Sequence, residues 1–413
     1  MGAMLEGITI IELGGVIAGN FGQVILADLG AEIIKIEPKT GDTARNASMA
    51  GIDGESAIHL FMNRGKKSVS IDLKTEEGLD ILYRLVDQAD VVIDNFRPGV
   101  LARLGIDHAT LKRIKPDIIT VSITGFGETG PLKDKPAFDL VIQAYSGHMS
   151  ITGETDGPPA RVGAPLADMS GAVYGCISIL AALVGRGLHG TGAHADVAML
   201  DSMVHLLAYD ALSHLTMGAQ PKRHGSAHEH IVPWQAMQCS DGFVVVAARD
   251  EKFFRNMCDA IERPDLKTDE RTASNAARLQ NRDWLVPQLE AAFLKKTQAE
   301  WIRILDESDT PSAPVNTFDS LFADPQIEAR GMIQTYEHPT IGDVSYQPSP
   351  MKIDDYSFPN NHAPMLGEHT AMILTERLGY TPERVDELDA EGVVKAWKPA
   401  TTVQQQKTTR DEI

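Results

Sequence analysis

Cysteine is scarce: Cys176, Cys239 and Cys258 are the three in 413 residues. They are odd in number and far apart, with no CxxC or Cys/His spacing. That excludes a disulfide framework and a cysteine zinc site, and it predicts a reduced, cytoplasmic setting. Basic residues are also in deficit, 38 Lys plus Arg against 57 Asp plus Glu, for a formal net charge of −19. A general nucleic-acid binder needs a basic surface to displace counterions, so that class is excluded, whereas a local basic cluster can still hold a small anion. Long apolar runs are missing as well. The most apolar stretch, Ile177 to Val184, is expected to be too short to cross a bilayer. Met1 to Glu6 has neither the basic nor the apolar region of a signal peptide, and Glu6 stands where a myristoylation signal wants Ser or Thr. No membrane association is expected.

Several signatures are absent. Neither GxSxG nor a Walker A sequence occurs, so serine hydrolase and P-loop NTPase readings lack their motif. GxGxxG occurs twice. Gly125 to Gly130 runs into Pro131, and Gly185 to Gly190 follows a helical stretch rather than a strand. A dinucleotide fingerprint needs strand, glycines and then a helix N-terminus, so neither match predicts a nicotinamide enzyme.

What is present is an alternation of strand and helix. β-branched runs at Ile8–Leu13, Glu32–Glu37, Lys67–Asp72, Asp90–Asp94 and Asp117–Thr124 are separated by helical stretches, with Thr75 as a helix cap. This predicts a doubly wound α/β domain with parallel strands. Small residues from Asp168 to Val184 predict a tightly packed helix, and Leu200 to Leu215 reads as a further helix. A Gly/His/Pro-rich segment at 218–233 breaks the pattern, followed by a strand at Phe243–Ala248 and a charged helical region. The expected organisation is a large domain over 1–217, a linker and small α+β domain over 218–330, a return to the large domain over 331–397, and a polar tail over 398–413.

Candidate chemistry sits in a few places. Basic residues gather at Asn63-Arg-Gly-Lys-Lys-Ser68 and at Arg97 and Arg103. They read either as a solvated face or as a phosphate site at strand ends. Asp168, in Gly163-Ala-Pro165-Leu-Ala-Asp168-Met-Ser-Gly171, lies between a Gly/Pro loop and an apolar helix. A helix cap explains it, and so does a poorly hydrated carboxylate nucleophile. His224, His228 and His230 lie near Glu229 but lack the further ligands of a metal set, so no metal is expected.

Together these blocks resemble class III coenzyme A transferases, the CaiB/BaiF family. The resemblance is carried by Ala27-Asp-Leu-Gly-Ala-Glu-Ile-Ile-Lys-Ile-Glu37, Asn63 to Ser68, Asp94-Asn-Phe-Arg-Pro-Gly99, Gly125 to Pro131, Gly163 to Gly171 and Pro364 to Thr370, spanning about residues 5 to 395. It implies a Rossmann-like large domain built from both chain ends, a smaller middle domain and an interlocked, ring-like homodimer. It also implies Asp168 as nucleophile, a mixed anhydride and an aspartyl-CoA thioester. The coenzyme A thioester is substrate, with no permanently bound cofactor, and the other partner is a free carboxylic acid. Contacts to coenzyme A are implied at Ile17, Ala18, Ile71, Asp72, Leu73, Lys74, Asn95, Phe96, Arg103, Lys135 and Phe138. Pro38 departs from the Arg that some members carry at the adenosine end, with Lys39 as the replacement at hand. The segment Arg223 to Ala236 resembles members that use succinyl-CoA with glutarate or similar dicarboxylates, and Arg45 or the histidines at 224–230 are candidates for a second carboxylate. Two alternatives share the scaffold. An α-methylacyl-CoA racemase places His before an Asp, where this chain has Phe138 before Asp139. A non-catalytic coenzyme A-binding protein would use Asp168 only as a cap.

Overall fold

The computed structural model describes residues 2–46, 51–52 and 55–399, so residues 400–413, most of the expected polar tail, lie outside the described residues. A strand inside a parallel sheet is covered on both faces and therefore reads as a nearly continuous apolar run. Runs of this kind, rich in β-branched residues though interrupted by buried polar ones such as Lys35, Ser68 and Ser70, form β1 (Thr9–Glu12), β2 (Glu32–Glu37), β3 (Lys67–Ile71), β4 (Val91–Asp94) and β5 (Ile119–Thr124), with β6 (His194–Ala198) beside β5. Among the helices between them are α1 (Phe21–Asp28), α2 (Glu76–Asp87), α3 (Val100–Leu104), α4 (His108–Ile114), α5 (Asp139–Tyr145) and α6 (Leu166–His189), and α7 (Met199–Leu206) follows β6. The Thr75 hydroxyl accepts the amide of Gly78 and so caps α2 as expected.

These six strands pair in parallel in the order β3-β2-β1-β4-β5-β6, and Val394–Lys395 adds an antiparallel strand outside β3. Alternate residues feed the two faces of the sheet. Ile11, Ile34 and Val92 pack with Ile81 and Leu85 of α2, while Ile10, Ile33 and Ile93 pack with Leu26 of α1 and Ile179 of α6. The strand order reverses between β1 and β4, and a crevice outside their carboxyl ends is the usual ligand position of such sheets.

α1 begins at Phe21 rather than near Ala18, because residues 16–20 are occupied by a turn. The expected helix over Leu200–Leu215 is two, α7 and α8 (Ala208–Met217), interrupted where Ala208 takes φ +47°. α6 corrects the reading of the apolar runs: by length and composition its 24 residues suffice to cross a bilayer. Its small residues Ala167, Gly171, Ala172 and Gly175 are buried within the α/β layers. Glycine is required where α1 meets α6, since a Cβ on Gly22 would stand 2.5 Å from the carbonyl oxygen of Ala172.

The chain divides into two compact units. The first takes residues up to Ser146, Gly163–Ala208 and the chain from Met332; the second takes Gly147–Val162 and Tyr209–Gly331. The expected boundary after 217 had put residues 147–162 and 209–217 in the large domain. The first of these joins the second unit through long-range pairing, with the Gly225 amide donating to Gly153 O at 2.9 Å and Arg223 donating to Gly157 O at 3.0 Å. The second unit also contains an antiparallel sheet of β7 (Trp234–Gln238), β8 (Phe243–Ala247) and β9 (Ser312–Pro314), with Phe254, Leu289 and Trp301 among its core.

Candidate active site

The site begins with the turn after β1. Val16 adopts φ +59°, a left-handed conformation that is costly for a β-branched residue. Neighbouring side chains hold it there. The Asp42 carboxylate accepts the Val16 amide at 3.3 Å, and the Asn20 amide donates to Val16 O and to Asp42 Oδ2. From the other side, Asn95 after β4 makes two bonds of 2.9 Å to the backbone of Gly15. Gly19 has to be glycine, because a Cβ there would lie 2.8 Å from the Asn95 side chain.

Below this turn lies a buried ionic network. Lys35 donates to Glu12 Oε1 at 2.7 Å, to Asn20 Oδ1 at 2.7 Å and to Gly14 O at 2.9 Å, and it stands 3.0 Å from Asp42. Lys66 donates to the other Glu12 oxygen at 2.6 Å. Burial alone would drive the Lys35 proton off, but Glu12 and Asp42 outweigh it and hold its pKa above the ordinary lysine value. Lys66 shares Glu12 with a second cation and is pushed by burial down to about 8.

Two cavities open on either side of the turn. One, of about 480 Å³, is lined by Gly14, Gly15 and Val16, by Pro38 after β2, by Ile71, Asp72, Leu73 and Lys74 after β3, and by Asn95 and Phe96. The other, of about 240 Å³, is lined by Val16, Ile17, Ala18, Asn95, Phe96, Arg97, Lys133, Lys135, Phe138 and Asp168, among others. Val16, Asn95 and Phe96 line both, so the two cavities share a wall at the sheet's switch point. The Asp94 carboxylate fixes that wall by accepting the Phe96 amide at 2.9 Å and the Ser122 hydroxyl at 2.7 Å. Burial pushes Asp94 up to about 6.

Asp168 lies in the first turn of α6, half-buried in the smaller cavity. It does not cap its helix. The amide of Ala167 donates to Asp139 Oδ1 at 2.8 Å, so a residue of α5 caps α6. Gln143 holds the other Asp139 oxygen at 2.7 Å. Among the described residues, the Asp168 carboxylate has no hydrogen bond or ion pair. Burial first, and repulsion from Asp139 second, push its pKa up to about 7. A carboxylate without solvating partners, beside a cavity, is a competent nucleophile toward an activated carbonyl.

Of the residues implied by the resemblance, Ile17, Ala18, Lys135, Phe138 and Asp168 line the smaller cavity, Ile71, Asp72, Leu73 and Lys74 the larger, and Asn95 and Phe96 both. Arg103 lines neither and stands exposed on α3, next to Leu104, which borders the larger cavity. Pro38 is in the wall and Lys39 is 3.8 Å from Asp72. The basic run at 63–68 is neither a solvated face nor an anion site. Arg64 is buried in a two-bond pair with Asp28, Lys66 is bound to Glu12, and Lys67 pairs with Glu32. Arg45, a candidate for a second carboxylate, is spent on Glu37, with two bonds of 2.7 Å. His228 and His230 belong to the second unit, where the His230 amide donates to His228 Nδ1 at 3.0 Å. No three metal-ligating side chains gather among the described residues. Sequence reasoning missed the clamp made by Asn20, Asp42 and Asp94, and it missed Asp139 as the cap, because these partners lie 22 to 28 positions away with no motif to link them.

The sequence pattern of CoA-transferase family III matches residues 5–370. The human succinyl-CoA:glutarate CoA-transferase is 35% identical over 392 residues, 94% of this chain and 90% of that protein. The succinate–glutarate CoA-transferase of Agrobacterium fabrum is 37% identical over 386 residues, 90% of this chain and 95% of that protein. Among solved structures, a CaiB/BaiF family protein from Brucella suis superposes with a TM-score of 0.84 at 36% identity, covering 91% of this chain and 100% of that one.

Proposed function

The chain belongs to CoA-transferase family III, and from that premise we propose that Asp168 is the nucleophile through which it moves coenzyme A from succinyl-CoA to a short dicarboxylate such as glutarate. It is a CoA-transferase, acting between an acyl-CoA and a dicarboxylic acid. The observation that carries the role of Asp168 is its carboxylate, free of any cap, on the wall of a cavity that adjoins a larger one.

In the proposed path an Asp168 oxygen attacks the donor thioester carbon, the C–S bond breaks and coenzyme A leaves as thiolate. The thiolate attacks the Asp168 carbonyl of the mixed anhydride, releasing succinate and leaving an aspartyl-CoA thioester. The acceptor carboxylate attacks that carbonyl and expels the thiolate, which then takes the acceptor acyl group and restores the Asp168 carboxylate. Each intermediate is as activated as the one before, so no energy is lost while water is kept out. The larger cavity and Lys74 suit the coenzyme A body, and the smaller suits the acyl group.

The same reading covers assembly and compartment. On α6, Val173, Ile177, Val184 and Leu188 are exposed large apolar residues recurring on one helical stripe, which fits burial against a second copy in a homodimer. The three cysteines are free thiols, as a reducing cytoplasm keeps them. Incubation with succinyl-CoA and labelled glutarate tests the activity. Labelled glutaryl-CoA is the expected product, whereas α-proton exchange without transfer would indicate the racemase chemistry that Phe138 cannot supply. Binding without turnover would leave only a coenzyme A-binding protein.

A further inference from the structure

Resting on that reading, we infer that Arg97 is the specificity-determining residue that binds the distal carboxylate of the acyl groups brought to Asp168. The donor acyl group and the acceptor are each joined in turn to the Asp168 carboxyl group as an anhydride, so a diacid places its second carboxylate in one region in both halves of the reaction. That position lies in a cavity whose wall already carries one carboxylate, in a protein of net charge −19. A dianion therefore needs a dedicated cation there.

The wall of that cavity offers Arg97, Lys133 and Lys135. Lys135 is engaged over the rings of Tyr145 and Phe126, at 5.2 and 5.6 Å. Arg97 and Lys133 have no side-chain hydrogen bond or ion pair among the described residues. They differ in how they are held. Lys133 lies in a loop whose nearby backbone bond, from its amide to Gly130 O, is 3.5 Å long. Arg97 directly follows Asn95 and Phe96, which Gly15 and Asp94 pin by bonds of 2.9 Å, and its own carbonyl accepts the Val100 amide at 3.1 Å. Its guanidinium stays charged and can make two parallel bonds to a planar carboxylate, which an ammonium cannot. Arg97 also borders a further cavity of about 320 Å³, so its side chain has room to change position.

The test measures kcat/KM for glutarate and for its monomethyl ester, which lacks the distal charge, with succinyl-CoA as donor. The wild type and the Arg97→Leu and Lys133→Gln variants are compared. The expected result is that Arg97→Leu lowers the preference for glutarate over the ester at least fivefold, with Lys133→Gln changing it less than twofold. A smaller fall in Arg97→Leu, an equal loss of both acceptors, or a fall seen in Lys133→Gln instead, overturns the inference. So does a rise confined to the KM for succinyl-CoA, which would assign the guanidinium to the coenzyme A phosphates. Wild-type enzyme that makes no glutaryl-CoA would overturn the functional reading itself, whereas turnover with an unchanged preference removes only the role of Arg97.

Discussion

The carboxylate of Asp139 accepts the amide hydrogen of Ala167 at 2.8 Å, and Asp168, one residue further on, is left without that duty. Capping by a side chain of another helix satisfies the end of α6 while bringing a negative charge near Asp168. One contact thus stabilises the helix, frees the candidate nucleophile and raises its proton affinity.

Asp168→Ala is expected to abolish transfer with the fold intact, because among the described residues no other carboxylate lines the smaller cavity to carry the acyl group. Hydroxylamine added with succinyl-CoA should convert Asp168 to its hydroxamate, and peptide mass spectrometry locates the change. A modified residue elsewhere reassigns the nucleophile.

The pH dependence follows from the raised pKa. Below about 7 Asp168 holds its proton and cannot attack, so kcat/KM for the donor should climb through about pH 7 and level off above it. Asp139→Asn removes the repulsion and should move the limb to lower pH, while burial keeps it above the usual carboxylate range. A limb that stays put would show that Asp139 exerts no charge effect.

The same shift predicts a stability difference of defined sign. The unfolded chain ionises Asp168 near 4 and the folded chain only near 7, so the folded state is penalised increasingly across that interval and fully above it. Asp168→Asn should therefore gain about 1–2 kcal/mol at pH 8, allowing for partial solvent screening, and nothing at pH 4. Urea titrations at the two pH values check this.

Glu12→Gln should cost about 3–5 kcal/mol, since Lys35 and Lys66 would lose the carboxylate they share in a site closed to water. Lys67→Ala breaks a partly exposed pair with Glu32 and should cost less than about 1 kcal/mol. Comparable losses in the two variants would show that the Glu12 site is hydrated.

Much of the fold was legible because local patterns encode it. The β-branched runs at 32–37, 67–71 and 91–94 became strands, and Thr75 capped a helix, since burial on both faces and an open helix end leave residue signatures nearby. The basic run at 63–68 misled for the opposite reason. Charge predicts a solvated face unless a partner neutralises it, and Asp28, Glu12 and Glu32 are 35 to 54 positions distant. Residues 147–162 changed unit for the same reason, through bonds to Gly225 and Arg223.

The amino-acid order alone determined the alternating α/β pattern, the family resemblance and Asp168 as a candidate, because strand periodicity and short motifs act over a few residues. Only the folded chain relieved Asp168 of capping α6, placed Asn95 against Gly15 and consumed Arg45 in a pair with Glu37. Those outcomes depend on which remote charges and donors the sheet brings within 3 Å, and no local pattern carries that information.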